Sequence, residues 1–131
     1  MKHILFVLLA AFVSMAIASP CTGIYRVVSK EWKATLEPVL AKQLNLPSVE
    51  LLQSYKYGGW TILYLRTGDS DEPFLFFRAD PRSSKYVTMW SGAARKSEGK
   101  EIEEWTLKNA PGIPKKLASC FAWHVTQDRD M

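Results

Sequence analysis

The chain has 131 residues, with 17 Lys and Arg against 13 Asp and Glu, and 47% of its residues are apolar. That suits one domain with its own core. The basic excess is small and forms no block of like charges, so nucleic acid is not an expected partner.

Residues 1–18 read as a secretory signal peptide. Lys2 supplies the positive start, an apolar run begins at Ile4, and Ala16-Ile17-Ala18 forms a small-x-small cleavage site. A membrane anchor fits less well, because the apolar run is short and Ser14 interrupts it. The expected mature protein is a single globular α+β domain over 19–131. Its expected location is secreted, and no membrane span is expected in the mature chain. In an oxidising compartment Cys21 and Cys120 pair by default. A lipid anchor on Cys21 or a free thiol is the alternative, and Pro20 directly before Cys21 fits the lipid anchor poorly.

Ile24 to Val28 is a short β-branched stretch, either a brief strand or an extended lead-in. Ser29 can cap a helix in which Trp32, Leu36, Val39, Leu40 and Leu44 share a face. Pro38 either kinks this helix or sits in the first turn of one that begins near Thr35. Asn45 and Pro47 end it. Residues 49–57 then read as a strand leading to Gly58-Gly59, a two-residue hairpin signal. Residues 60–66 return with Trp60, Ile62 and Tyr64 on one face and Thr61, Leu63 and Leu65 on the other. Both faces are apolar, so this strand should be covered on both sides.

A polar loop, 67–73, carries Asp69, Asp71 and Glu72. Residues 74–78 form the next strand, and Asp80-Pro81-Arg82-Ser83-Ser84 is turn chemistry. Residues 85–91 read as the last strand, with Tyr86, Thr88 and Trp90 opposite Val87 and Met89. Ser97 is a candidate cap for a helix through Ile102 and Trp105 to Asn109, with Glu98 and Glu101 near its start. Pro114 opens a further helix with Leu117 inward. Residues 120–126 fit either a continuation of that helix or a strand, and the alternation of Phe121, Trp123 and Val125 favours a short helix followed by a strand. The expected fold class is α+β: an antiparallel sheet of about four to five strands, flanked by an N-terminal helix and C-terminal helices.

Catalytic groups are sparse. His124 is the one histidine of the mature chain. With Cys120 it could be drawn as a nucleophile pair or half a metal site, but two candidate ligands do not make a zinc centre. Asp69, Asp71 and Glu72 form only a fragment of a calcium loop. No phosphate-binding glycine loop and no G-x-S-x-G occurs. No catalytic residue, metal site or cofactor is therefore expected. The expected function is non-catalytic binding of another secreted or periplasmic protein, with Asp69, Asp71, Glu72 and Arg82 as candidate contact residues. Two other readings stand beside it. One is a small-molecule carrier with a pocket formed by Trp60, Tyr64, Phe76 and Trp90. The other is a small enzyme using carboxylates or His124.

The succession Trp60-Thr61-Ile62-Leu63-Tyr64-Leu65, then 66–73, then Phe74-Leu75-Phe76-Phe77, with Val87-Thr88-Met89-Trp90-Ser91 following, resembles the Ivy family of periplasmic lysozyme inhibitors in layout. The resemblance covers about Ser29 to Asn109. It implies a helix and an antiparallel sheet flanked by helices, with a rigid loop between two strands entering the cleft of a lysozyme. The family's inhibitory loop is closed by a disulfide and holds a histidine. The loop here has neither, so the inhibitory residues do not carry over. Asp69, Asp71 and Glu72 occupy the corresponding place. The resemblance implies a periplasmic location, and the signal peptide, the compact aromatic domain and the sparse catalytic groups fit an inhibitor of a cell-wall hydrolase or an immunity protein against a secreted toxin.

Overall fold

The protein is described by a computed structural model covering Ala11, residues 19–69 and residues 71–128. The expected signal peptide, residues 1–18, lies outside the described residues, Ala11 apart. The elements are α1 (Lys30–Gln43), β1 (Glu50–Tyr57), β2 (Trp60–Arg66), β3 (Phe74–Phe77), β4 (Thr88–Trp90), α2 (Gly99–Asn109) and α3 (Lys115–Gln127). The strands form one antiparallel meander in the order β1-β2-β3-β4. The fold is therefore α+β, with a four-stranded sheet among the described residues. No described helix is long and apolar enough to cross a membrane.

α1 starts where its cap allows. The Ser29 hydroxyl accepts from the Trp32 backbone N–H at 3.0 Å, satisfying one donor of the first turn. The regular helix runs through Pro38, so it does not begin near Thr35. Pro38 and Ala34 both lie on the exposed side, where water can serve the Ala34 carbonyl that lacks its usual donor. Asn45, at φ 55°, ends the helix. The Leu46 N–H returns to the Ala41 carbonyl at 2.9 Å and the Asn45 N–H to Lys42 at 3.2 Å, the paired bonds of a left-handed helix stop.

β2 is buried along its length up to Arg66 and separates two cores. On one side Leu63 and Leu65 meet Leu36, Leu40 and Ala41 of α1. On the other, Trp60, Ile62 and Tyr64 pack with Phe74, Phe76, Leu117, Phe121 and Val125, the last three from α3. β1 serves both cores through a bulge between Leu51 and Gln53. Residues 51 and 55 would share a face in a regular strand. The extra residue sends Leu51 to the α1 side and Tyr55 to the α3 side.

Several sequence expectations are corrected. β4 spans three residues rather than 85–91. Tyr86 packs with the α1-side core and Trp90 with the α3-side core, so their expected common face does not exist. Ser97 does not cap α2. A 3-10 turn, Lys96–Glu98, precedes it, and the Glu98 carboxylate accepts from the Arg95 N–H at 3.0 Å. Residues 120–126 are helix throughout, with no strand. α3 lies between the sheet, α2 and the N-terminal segment and is buried nearly all round, from Leu117 to Thr126. Burial on every side blunts the 3.6-residue pattern, and packing outweighs the modest helix propensities of Cys, Phe, Val and Thr.

Cys21 and Cys120 form a disulfide, with Cα atoms 4.6 Å apart. It joins the N-terminal segment to the middle of α3. Beyond it, Tyr25 pairs with Lys56 through two backbone hydrogen bonds of 3.0 and 2.8 Å, covering part of the outer edge of β1.

Candidate functional site at the two ends of the sheet

A meander puts its loops alternately at opposite ends. The β2–β3 loop, 67–73, lies at one end. The β1–β2 turn and the β3–β4 connection lie at the other. The sequence candidates therefore separate: Asp69, Asp71 and Glu72 stay together, while Arg82 sits at the far end.

The acidic end is braced from within. The Leu65 N–H donates to the Pro73 carbonyl at 3.0 Å, closing the loop at its base, and Pro73 itself is buried. Glu72 is an internal strut. Its carboxylate accepts from the Tyr64 hydroxyl and, at 3.3 Å, from Arg66 Nε. Arg66 also reaches Glu50 on β1 at 3.3 Å, linking β1, β2 and the loop. Asp69 and Asp71 are exposed. With Leu44, Leu46, Pro73 and Met89 they border a hollow of about 260 Å³.

At the other end an open cleft of about 420 Å³ is lined by Trp32, Lys56, Tyr57, Trp60, Asp80 and Arg82 among others. Lys56 Nζ lies 3.4 Å from the centre of the Trp32 ring, and the Arg82 guanidinium carbon 5.8 Å from it, so two cations face one indole. Trp32 is held by its own Nε1–H, which donates to the Ser54 hydroxyl at 3.3 Å. Asp80 accepts from the Arg82 backbone N–H at 2.9 Å and its guanidinium at 2.6 Å, and these bonds hold the carboxyl down at about 2. Burial lowers the pKa of the Lys56 ammonium, and the nearby Arg82 charge adds to the effect. Arg78 and Lys116 extend the basic character, each within 6 Å of a ring: Arg78 5.6 Å from Trp60, Lys116 5.8 Å from Tyr57.

No protein-family model, curated protein or solved structure matches this chain.

The remaining sequence candidates have internal partners. His124 is fully buried between Tyr55, 5.3 Å away ring to ring, and Phe74 at 6.1 Å. Its Nδ1 is 4.0 Å from the Asp128 carboxylate. With Cys120 in the disulfide, no thiol stands beside it. Tyr64, Phe76 and Trp90 pack against Phe74 and Phe121 in ring contacts of 4.2 to 6.0 Å, and they form core. Trp60 alone of the four suggested pocket residues lines the cleft. No three His, Cys, Asp or Glu side chains among the described residues stand close enough to hold a metal ion.

Sequence reading missed Trp32 and Lys56. One is on α1 and the other on β1, 24 positions apart, and no spacing rule joins them. The Gly58-Gly59 signal marked the turn beside them but not the cleft.

Proposed function

We propose that this protein is a secreted, non-catalytic binding domain that engages another secreted or periplasmic protein through the loop 67–73. Inhibition of a cell-wall hydrolase, or immunity against a secreted toxin, is the form this binding takes. The observation that carries the reading is the bracing of the loop. The Leu65–Pro73 bond and the Glu72 strut fix its base while Asp69 and Asp71 stand exposed. A loop whose base is held before contact loses less conformational freedom there on binding, which favours affinity. Two exposed carboxylates on it suit a basic partner and would steer its approach. The disulfide is compatible with an oxidising location. The strand–loop–strand arrangement also resembles the layout of the Ivy inhibitors.

The test is direct. Clearing of a cell-wall suspension by a lysozyme is followed with and without stoichiometric protein. Slower clearing that is restored by Asp69→Lys with Asp71→Lys supports the inhibitor form, and unchanged clearing removes it. Retention of secreted proteins on the immobilised domain at low salt tests the wider reading. If nothing is retained, or retention is the same for the charge-reversed variant, loop-mediated binding is wrong.

A further inference from the structure

The cleft at the hairpin end has features that the acidic loop does not explain. Lys56 and Arg82 converge on one indole, yet Asp80 alone answers them, and it bonds to Arg82. No carboxylate among the described residues forms an ion pair with Lys56. Like charges gathered over an aromatic surface leave an electrostatic vacancy for an anion. Exposed aromatic surface adjoins it: Tyr57, 38% exposed, lines the cleft, and the ring of Tyr25, 55% exposed, lies 5.8 Å from Lys56 Nζ. The cleft's rim is open at the turn, where a Cβ added at Gly59 would meet nothing within 4 Å.

Trp, Tyr and Arg are the residues that most often carry the energy of protein–protein contacts, grouped where side chains of a partner can be desolvated. The cleft volume, about 420 Å³, falls within the usual range for binding clefts. We propose that this cleft binds an acidic, extended segment of a partner protein. A carboxylate of that segment lies between Lys56 Nζ and the Arg82 guanidinium, and an adjacent apolar side chain rests on Tyr57 and Trp32. The site is separate from loop 67–73, at the opposite end of the sheet, and does not depend on that loop's role.

The probe is a fluorescein-labelled dodecapeptide of alternating Glu and Leu, titrated with the disulfide-bonded protein at low salt and read by fluorescence polarisation. Binding should quench the protein's tryptophan emission, since Trp32 and Trp60 line the cleft, and should weaken as salt is raised. Arg82→Glu, in an exposed turn, should weaken binding about tenfold, and Lys56→Glu by at least as much. Asp69→Asn with Asp71→Asn, which places no new cation on the loop, should change it by less than about twofold, which separates this site from the loop. Thermal melting of each variant shows that it is folded, and Arg82→Glu remains decisive if Lys56→Glu is not. The proposal is overturned if the peptide fails to bind or if a Lys-Leu counterpart binds equally well. It also falls if Arg82→Glu has no effect, or if dextran sulfate binds where the peptide does not. Concentration-dependent self-association abolished by either charge reversal would assign the cleft to a second copy of this chain, and would overturn it as well.

Discussion

At the scale of single residues, Asp80 and Tyr55 are displaced in opposite directions for different reasons. Hydrogen bonds from Arg82 lower the Asp80 pKa to about 2. Because the folded value is depressed, the stabilisation from this pair is present above the ordinary carboxylate range. It is lost as pH falls through about 2. A carbon-detected NMR titration should find the Asp80 midpoint near that value in the parent. Arg82→Ala should return it toward the usual 3.8. For Tyr55 burial is the largest cause and raises the phenol. Its hydroxyl accepts from Arg26 at 3.1 Å and donates to Gln53 Oε1 at 2.6 Å. Above about pH 10 the unfolded chain's tyrosine ionises while the buried one does not, so stability should fall as pH rises. Tyr55→Phe should remove that component and cost about 1–2 kcal/mol at neutral pH in denaturant melts, through the bonds it loses.

At the scale of elements, the β1–β2 hairpin and α3 make contrasting predictions. Gly58 and Gly59 adopt φ of 58° and 81°. A Cβ at Gly58 would also approach Pro114 Cγ to 2.9 Å, whereas at Gly59 there is space. Gly58→Ala should therefore destabilise by about 2 kcal/mol and Gly59→Ala by about 1. Equal losses would deny the Pro114 contact. In α3, Phe121 is buried against Phe74, Phe76 and Trp90, while Trp123 is half-buried. Phe121→Ala should cost about 3–5 kcal/mol, and Trp123→Ala clearly less. A strand, with both residues on one face, would make the two losses similar. The hairpin was legible because its signal is local: two glycines between alternating apolar runs. β2 was legible to its ends for the same reason. α3 was not, because packing on every side erased the one-faced pattern that marks a helix.

At the scale of the whole molecule, the Cys21–Cys120 bridge spans 99 positions and holds the N-terminal segment against α3. A loop of that length contributes about 4–5 kcal/mol in the chain-entropy account, and measured bridges often deliver less. Reduction should lower the melting temperature by roughly ten degrees or more. A smaller shift would mean that the N-terminal segment is held by its Tyr25–Lys56 pairing and side-chain contacts instead. The meander has a second global consequence, a charge separation. Exposed Asp69 and Asp71 end up at the opposite end of the sheet from Lys56, Arg78 and Arg82, so the two ends carry opposite charge.

By itself the sequence determined the α+β class, the strand and turn order from Glu50 to Phe77, the cap at Ser29 and the pairing of two cysteines. Each follows from local periodicity, turn chemistry or simple count. Tertiary structure alone decided that Glu72 is a strut, that Tyr86 and Trp90 face different cores, that 120–126 is helical, and that Trp32 meets Lys56 and Arg82. These depend on which distant surfaces pack together. That choice is made by burial summed over the whole molecule, and no local stretch of chain encodes it.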